Sequence, residues 1–99
     1  MPLFRRTSND ERAVPVEIYS RRECHLCDVA EGLIESLALE HHLVLDVRVI
    51  DVDSDAELRR LYGELVPVVF VDGKKAFKFR VDPEKFVTRV RHAASKRRK

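Results

Sequence analysis

The sequence predicts an α/β fold: one four-stranded mixed sheet with helices on both faces, in the order strand, helix, strand, helix, strand, strand, helix. Three observations carry this. Apolar residues alternate over Val14 to Tyr19 and crowd together over Leu43 to Val52, both marks of strands. They recur at helical spacing from Leu26 to Ala38 and again from Phe86 to Ala94. Asp72-Gly73, set between two short apolar runs, signals a hairpin joining the last two strands.

The chain has 99 residues, which suits one domain. Hydrophobic residues make up 44%, enough for one modest core, and with no Trp that core is mainly aliphatic. The charges nearly cancel to +2, but residues 89–99 hold six of the 19 Lys and Arg and none of the 17 acids. Residues 1–12 are polar and basic and read as a disordered arm, 13–95 as the domain, and 96–99 as a basic tail that frays because it has nothing to bury.

In the first strand, Val14, Val16 and Ile18 alternate with Pro15, Glu17 and Tyr19, and Pro15 sits near the start, where a missing N–H is tolerable. A polar loop, Ser20 to Glu23, leads to a helix from about His25 to Glu40. Its apolar face is Leu26, Val29, Ala30, Leu33, Ile34, Leu37 and Ala38, with Asp28, Glu31 and Glu35 on the other side. The second strand, Leu43 to Val52, is apolar enough to be buried on both faces in the middle of the layers. Ser54 and Glu57 match a capping box, starting a second helix at Asp55 with Leu58, Leu61, Tyr62 and Leu65 inward and Gly63 as its end. Leu65 to Val71, Asp72-Gly73 and Lys75 to Val81 form the hairpin, with Ala76, Lys78 and Arg80 on one face and Lys75, Phe77, Phe79 and Val81 on the other. Asp82 caps the last helix, Pro83 is its first residue, and Phe86, Val87, Val90 and Ala94 face inward.

The chemistry concentrates at Cys24-His25-Leu26-Cys27, which holds both cysteines of the chain. A cysteine at a helix N-terminus faces unpaired N–H groups and the positive end of the helix dipole, and both stabilise a thiolate. Arg21, Arg22 and His25 add positive charge within three residues of Cys24. In such settings a thiol pKa drops from about 8.5 to roughly 3.5–7. Cys24, the outer cysteine, is the expected nucleophile. Cys27, one turn in, is the resolving thiol that closes a disulfide.

Other chemistries are weaker. Zinc needs four ligands, and only His25, His41, His42 and His92 remain to complete a set, none at knuckle spacing. His41-His42 suit the negative end of a helix dipole better than a metal. Asp51, Asp53 and Asp55 lack the Gly and Glu of a calcium loop. The tail lacks the aromatic interleaving that would favour nucleic acid. Two close cysteines, no apolar leader and no apolar run near the roughly 20 residues that span a membrane lead to an expected cytoplasmic setting. Pro67, ahead of a Val-rich strand, reads from the residues alone as an ordinary strand-start proline.

Cys24-His25-Leu26-Cys27 after the first strand, Val66-Pro67 before the third, then Asp72-Gly73 and a final helix resemble the glutaredoxin-like branch of the thioredoxin superfamily. The start Cys24 to Asp28 is similar to a small Cys-His-Leu-Cys-Asp group within it, and the resemblance spans residues 14–94. It implies a thioredoxin-like fold and thiol–disulfide exchange. It also implies a cis Val66–Pro67 bond beside Cys24, with the Val66 backbone holding a substrate peptide or glutathione like an added strand. Asp82 would be a further substrate contact, toward a glutathione amine. The implied partners are a disulfide-bearing protein or small disulfide, and a reductant that is glutathione or a thioredoxin-reductase-like system, with no resident cofactor. Two departures weigh against glutathione. His25-Leu26 stand where glutaredoxins commonly have Pro-Tyr, and Phe79-Arg80-Val81-Asp82 stand where they have a Gly-Gly pair. A metal or iron–sulfur carrier using the same thiols, and a redox-inactive adaptor, are the alternatives. The strand order and the closing helix speak against a ferredoxin-like carrier.

Overall fold

The computed structural model describes residues 11–97; the arm expected over 1–12 therefore falls almost wholly outside the described residues, as do Arg98 and Lys99. The elements are β1 (Val14–Ser20), α1 (His25–His41), β2 (Leu45–Asp51), a 3₁₀ turn (Val52–Ser54), α2 (Ala56–Tyr62), β3 (Val68–Val71), β4 (Lys74–Lys78) and α3 (Pro83–Arg97). They form a four-stranded sheet in the order β2-β1-β3-β4. This is the mixed sheet with helices that the sequence leads one to expect.

β1 runs parallel to β2, with Val16 opposite Val47, and antiparallel to β3, with Ile18 opposite Val69. Only two of the first three strands are thus parallel. The expectation that β2 lies buried in the middle is corrected: it is an edge strand, and β1 and β3 are central. The apolar density misled because part of it lies outside the strand. Leu43 and Val44 belong to the turn after α1, where Val44 is 43% exposed. That turn is closed by His42, left-handed at φ 56, a conformation that histidine tolerates better than most residues. The amides of His42 and Leu43 both donate to the Ala38 carbonyl.

The core lies on one face of the sheet. Val14, Val16 and Ile18 of β1, Leu45 and Val47 of β2, and Val69 and Val71 of β3 meet Ala30, Ile34, Leu37 and Ala38 of α1 and Phe86, Val87, Val90 and Ala93 of α3. Each large side chain fully buried there contributes about 1.5–3 kcal/mol relative to exposure. Within α1, Val29 is an exception to the expected apolar face, at 49% exposed.

α2 is shallower, with no buried residue. Its cap is also corrected. Asp55, not Ser54, is the N-cap, its carboxylate accepting from the amides of Glu57 (2.7 Å) and Leu58 (3.1 Å), while the Ser54 hydroxyl donates to the Asp51 carbonyl. The carboxylate reaches amides that the expected capping box left to Ser54. Tyr62 stacks on Tyr19 and Phe70 at 4.8 and 6.1 Å between ring centres, on the face opposite the core.

The hairpin turns through Asp72 (φ 54) and Gly73 (φ 83), the two positive φ values that suit the twist of the strands. A bulge between Val69 and Phe70 breaks the alternation, so Ala76 and Phe77 both pack toward the core instead of facing opposite ways. β4 ends at Lys78, three residues earlier than the pattern suggests. Asp82 caps α3 through the Lys85 amide at 3.1 Å. α3 continues to Arg97, two residues into the stretch expected to fray. The reason is an ion pair: Arg97 meets Asp72 of the hairpin turn at 2.6 Å.

Candidate functional site: the Cys24–Cys27 dithiol

β1 delivers its last residue, Ser20, to the end of the sheet, and a short loop turns the chain into α1. Glu23 takes a left-handed backbone (φ 54), so that Cys24 enters in extended geometry as the N-cap of α1. The Asp28 amide donates to the Cys24 carbonyl at 3.1 Å, and the Cys27 amide donates to Cys24 Sγ at 3.2 Å. Cys24 and Cys27 are joined as a disulfide across 5.2 Å between Cα atoms. The two sulfurs differ in access. Cys24 is half-buried at the rim, and Cys27 is 0% exposed beneath it. The amide aimed at Cys24 Sγ is the kind of donor that stabilises a thiolate at that atom.

Of the three basic side chains near the pair in sequence, Arg21 is committed elsewhere. Its guanidinium grips Asp53 through two hydrogen bonds of 2.9 Å and donates a third, also 2.9 Å, to the Gly63 carbonyl at the end of α2. That bidentate contact holds the Asp53 carboxyl below its ordinary range, burial opposing and the Arg21 and Arg59 charges assisting. Arg21 thus braces the cysteine loop against the 3₁₀ turn and α2. Arg22 and His25 stand exposed on either side of the loop.

The segment before β3 starts beside the end of β1, where Tyr19 pairs with Val68. The Val66–Pro67 bond is cis, and Pro67 is fully buried. The β1–β3 ladder ends at Tyr19 and Val68, so the Val66 backbone lies beyond it. The Phe79 amide donates to the Pro67 carbonyl at 2.8 Å. Phe79 itself has φ 69, an unusual conformation for an aromatic residue, and is 40% exposed. Asp82 stands at the start of α3 in its capping role.

The sequence pattern missed Glu31. It was expected on the polar side of α1 with Asp28 and Glu35. Instead it is half-buried and accepts a hydrogen bond of 3.3 Å from the Ser20 hydroxyl, the one buried polar side chain among the described residues. Burial pushes the Glu31 carboxyl up, the Ser20 bond partly offsets this, and Asp28 adds to it. A cavity of about 480 Å³ opens here, with Ser20, Arg22, Glu23, Asp28, Glu31 and Asp51 on its walls. The signal was present in β1: strict alternation from Val14 puts Ser20 on the core side, where a hydroxyl needs a partner. Among the described residues, no three His, Cys, Asp or Glu side chains are grouped to hold a metal.

Comparison with known proteins agrees with this architecture. The Glutaredoxin-like domain (DUF836) family matches residues 15–91. A Nitrosomonas europaea protein solved by NMR is similar, with 26% identity and a TM-score of 0.64 over 85% of this chain and 99% of that one. A thioredoxin variant from Halobacterium salinarum is also similar, with 26% identity and a TM-score of 0.57 over 82% of this chain and 74% of that one. Thioredoxin 1 of Thermosipho africanus, at 17% identity and a TM-score of 0.57 over 86% and 99%, shares the fold. No curated protein matches. With the family match covering most of the chain, and the dithiol at the mouth of α1, the chain belongs to the glutaredoxin-like domain family and has the thioredoxin-like fold.

Proposed function

We propose that this chain is a thiol–disulfide oxidoreductase working through Cys24 and Cys27. The observation that carries the reading is the inequality of the two sulfurs: a rim cysteine at a helix N-terminus over a fully buried one, close enough to be bonded. The Cys24 thiolate attacks one sulfur of a substrate disulfide. A Cys24–substrate bond forms, and the other substrate sulfur leaves as a thiolate. Cys27 then loses its proton and attacks Cys24 Sγ. The Cys24–Cys27 bond forms, and the second substrate thiolate departs. Two electrons pass from the dithiol to the substrate, and an external reductant restores the dithiol.

The substrate is a disulfide in a peptide or small molecule, lying along the Val66 backbone beyond the β1–β3 ladder in the manner of an added strand. Arg22, unlike Arg21, is free of the Asp53 brace and is the cation left to favour the Cys24 thiolate, with the His25 side chain next to Cys24 in sequence. The reductant is a thioredoxin-reductase-like system in preference to glutathione, because Phe79 occupies ground that a Gly-Gly pair would leave open. A reducing compartment, the cytoplasm, suits a dithiol of this kind. Among the described residues, no helix is long and apolar enough to cross a membrane.

The test is alkylation of Cys24 against pH in the Cys27→Ser variant, together with turnover of a protein disulfide by the wild type under each reductant. A Cys24 pKa well below about 8.5 is expected, with faster turnover under the reductase. A pKa at or above the free-thiol value, with no turnover, overturns the reading.

A further inference from the structure

β4 forms one edge of the sheet, and among the described residues no strand lies along its outer side. The outward N–H and C=O groups of an edge strand are a template on which a further extended chain can pair. β4 is short and basic: Lys74, Lys75 and Lys78 are all exposed.

The seam between β4 and α3 adds to that charge. α3 runs back along β4, so that Arg97 near its end meets Asp72 of the turn before β4 at 2.6 Å. Two cavities lie along the seam, of about 180 and 510 Å³, and Arg89 is on the walls of both. Lys74, His92 and Lys96 line the first, and Lys85 lines the second. Lys85, Arg89, His92 and Lys96 recur at helical spacing and fall within about 60° around the helix axis. They form a stripe beside the buried face of Phe86, Val87, Val90 and Ala93. Acids do little to neutralise it. Asp72 is taken up by Arg97, and Glu84, at the far end of the seam, is the other acid on the cavity walls. Among the described residues, none of the five basic side chains on the seam is in an ion pair.

From the coincidence of an open strand edge with an uncompensated basic stripe, we propose that the β4–α3 seam docks an acidic, extended segment of a partner protein, paired to β4 as a fifth strand with carboxylates toward α3. The proposal goes beyond the dithiol reading and does not depend on it.

The spacing suits such a segment. Alternate residues of an extended chain share a face and recur roughly every 6.5–7 Å. The basic residues of the stripe recur roughly every 4.5–6 Å along the helix axis, within reach of successive carboxylates for side chains as long and flexible as Lys and Arg. Lys74 is on the α3 side of β4, opposite Val71 of the core. Lys75, opposite Phe70, and Lys78, opposite Val68, are on the other face, so acids of either face of the segment meet a cation.

Other occupants fit less well. Lysines on an edge strand also guard against indiscriminate pairing, which accounts for β4 but not for the stripe on α3. A second copy of this chain, pairing β4 to β4, would set lysine against lysine. A single-stranded nucleic acid needs rings on which its bases stack. The one ring on the walls of the two cavities, Phe77, is packed on Phe86 at 6.4 Å between ring centres.

Fluorescence anisotropy with the full chain and a labelled peptide of about ten residues, alternating Glu and Thr, measures docking. An alternating Lys-Thr peptide and an oligothymidylate of the same length are the comparison probes. The Glu-Thr peptide should bind and the Lys-Thr peptide should not, and oligothymidylate should bind about tenfold more weakly or worse. Raising salt from about 0.05 to 0.3 M should weaken the Glu-Thr peptide severalfold. Lys74→Glu/Lys96→Glu should weaken it about tenfold or more, whereas Arg60→Glu/Arg91→Glu, the same change of charge away from the seam, should alter it less than about threefold. A second measurement needs no variant to fold: in the wild type, bound peptide should slow amide hydrogen exchange within Lys74–Lys78 and leave β2, the other edge, unchanged. Absence of binding overturns the proposal. Equal losses in the two double variants also overturn it, since they mean attraction to net charge alone. Oligothymidylate binding as tightly as the Glu-Thr peptide assigns the seam to nucleic acid instead. Binding without protection of β4 removes the fifth strand and with it the proposal. Each of these results leaves the Cys24 alkylation test of the oxidoreductase reading standing on its own.

Discussion

The two faces of the sheet are built differently. On one, alternate residues of β1, β2 and β3 lock against α1 and α3 in a continuous apolar cluster. On the other, Glu17, Tyr19, Arg48 and Phe70 look outward, and α2 covers part of the surface with Tyr62 without burying any residue of its own. The dithiol lies where the two meet. Its helix, α1, belongs to the deep face, while its loop is pinned through Arg21 to the shallow one. Rigidity behind Cys27 and access around Cys24 therefore come from different parts of the fold.

The largest test of this contrast is a pair of aromatic truncations. Phe86 is 0% exposed at the centre of the deep cluster, and Phe86→Ala should cost about 3–5 kcal/mol. Tyr62 is half-buried, and Tyr62→Ala should cost about 1–2 kcal/mol, through lost ring contacts with Tyr19 and Phe70. Urea unfolding of both variants measures the gap. Equal losses would mean that the shallow face carries as much of the stability as the deep one.

The same contrast decides what the sequence could reveal. Deep-face elements announce themselves by period: two in β1, 3.6 in α1 and α3. Caps and turns chosen by local chemistry, such as Asp82-Pro83 and Asp72-Gly73, were equally legible. Strand direction was not, because alternation reads the same both ways, so nothing local says that β3 runs against β1. The edge position of β2 was hidden by apolar residues that belong to the turn before it. At the site, the Cys24–Cys27 pair was plain from spacing. The Arg21 contacts were not, since they join residues 32 and 42 positions apart. Glu31 was misread because a helical wheel assigns a charge to solvent unless something across the sheet end, here Ser20, draws it in.

A middle-sized effect probes the brace from the shallow side. The Arg21 contact depresses the Asp53 pKa in the folded protein, so the folded state holds fewer protons than the unfolded one in mild acid. Its stabilisation is present above the ordinary carboxylate value and is lost as pH falls through the depressed one. Asp53→Asn should therefore lower Tm at pH 7 and make little difference at the acidic end of the profile. Because the pair is exposed, added salt should shrink the pH 7 effect. A Tm loss of the same size at every pH would mean that the amide disrupts the 3₁₀ turn instead of the charge contact.

The smallest effect has the opposite sign and lies on the deep-face helix. Glu31 has a raised pKa, so between its ordinary value of 4.5 and the raised one the folded state binds more protons than the unfolded. Stability falls as pH rises through that window, and above it the ionised carboxylate is a standing cost. Glu31→Gln keeps the acceptor for Ser20 and removes that charge, so it should raise Tm at pH 7 and match the wild type below about pH 4, where the carboxyl is protonated in both states. Solvent contact keeps the gain small. Thermal unfolding across pH 3.5–8 measures it, and a Tm that drops at pH 7 would show the ionised carboxylate stabilising the fold. Set beside Asp53, the two acids should tilt the stability profile in opposite directions. The shallow-face acid serves the fold when ionised. The deep-face acid costs the fold something when ionised, because burial disfavours its charge and the Ser20 bond only partly offsets that.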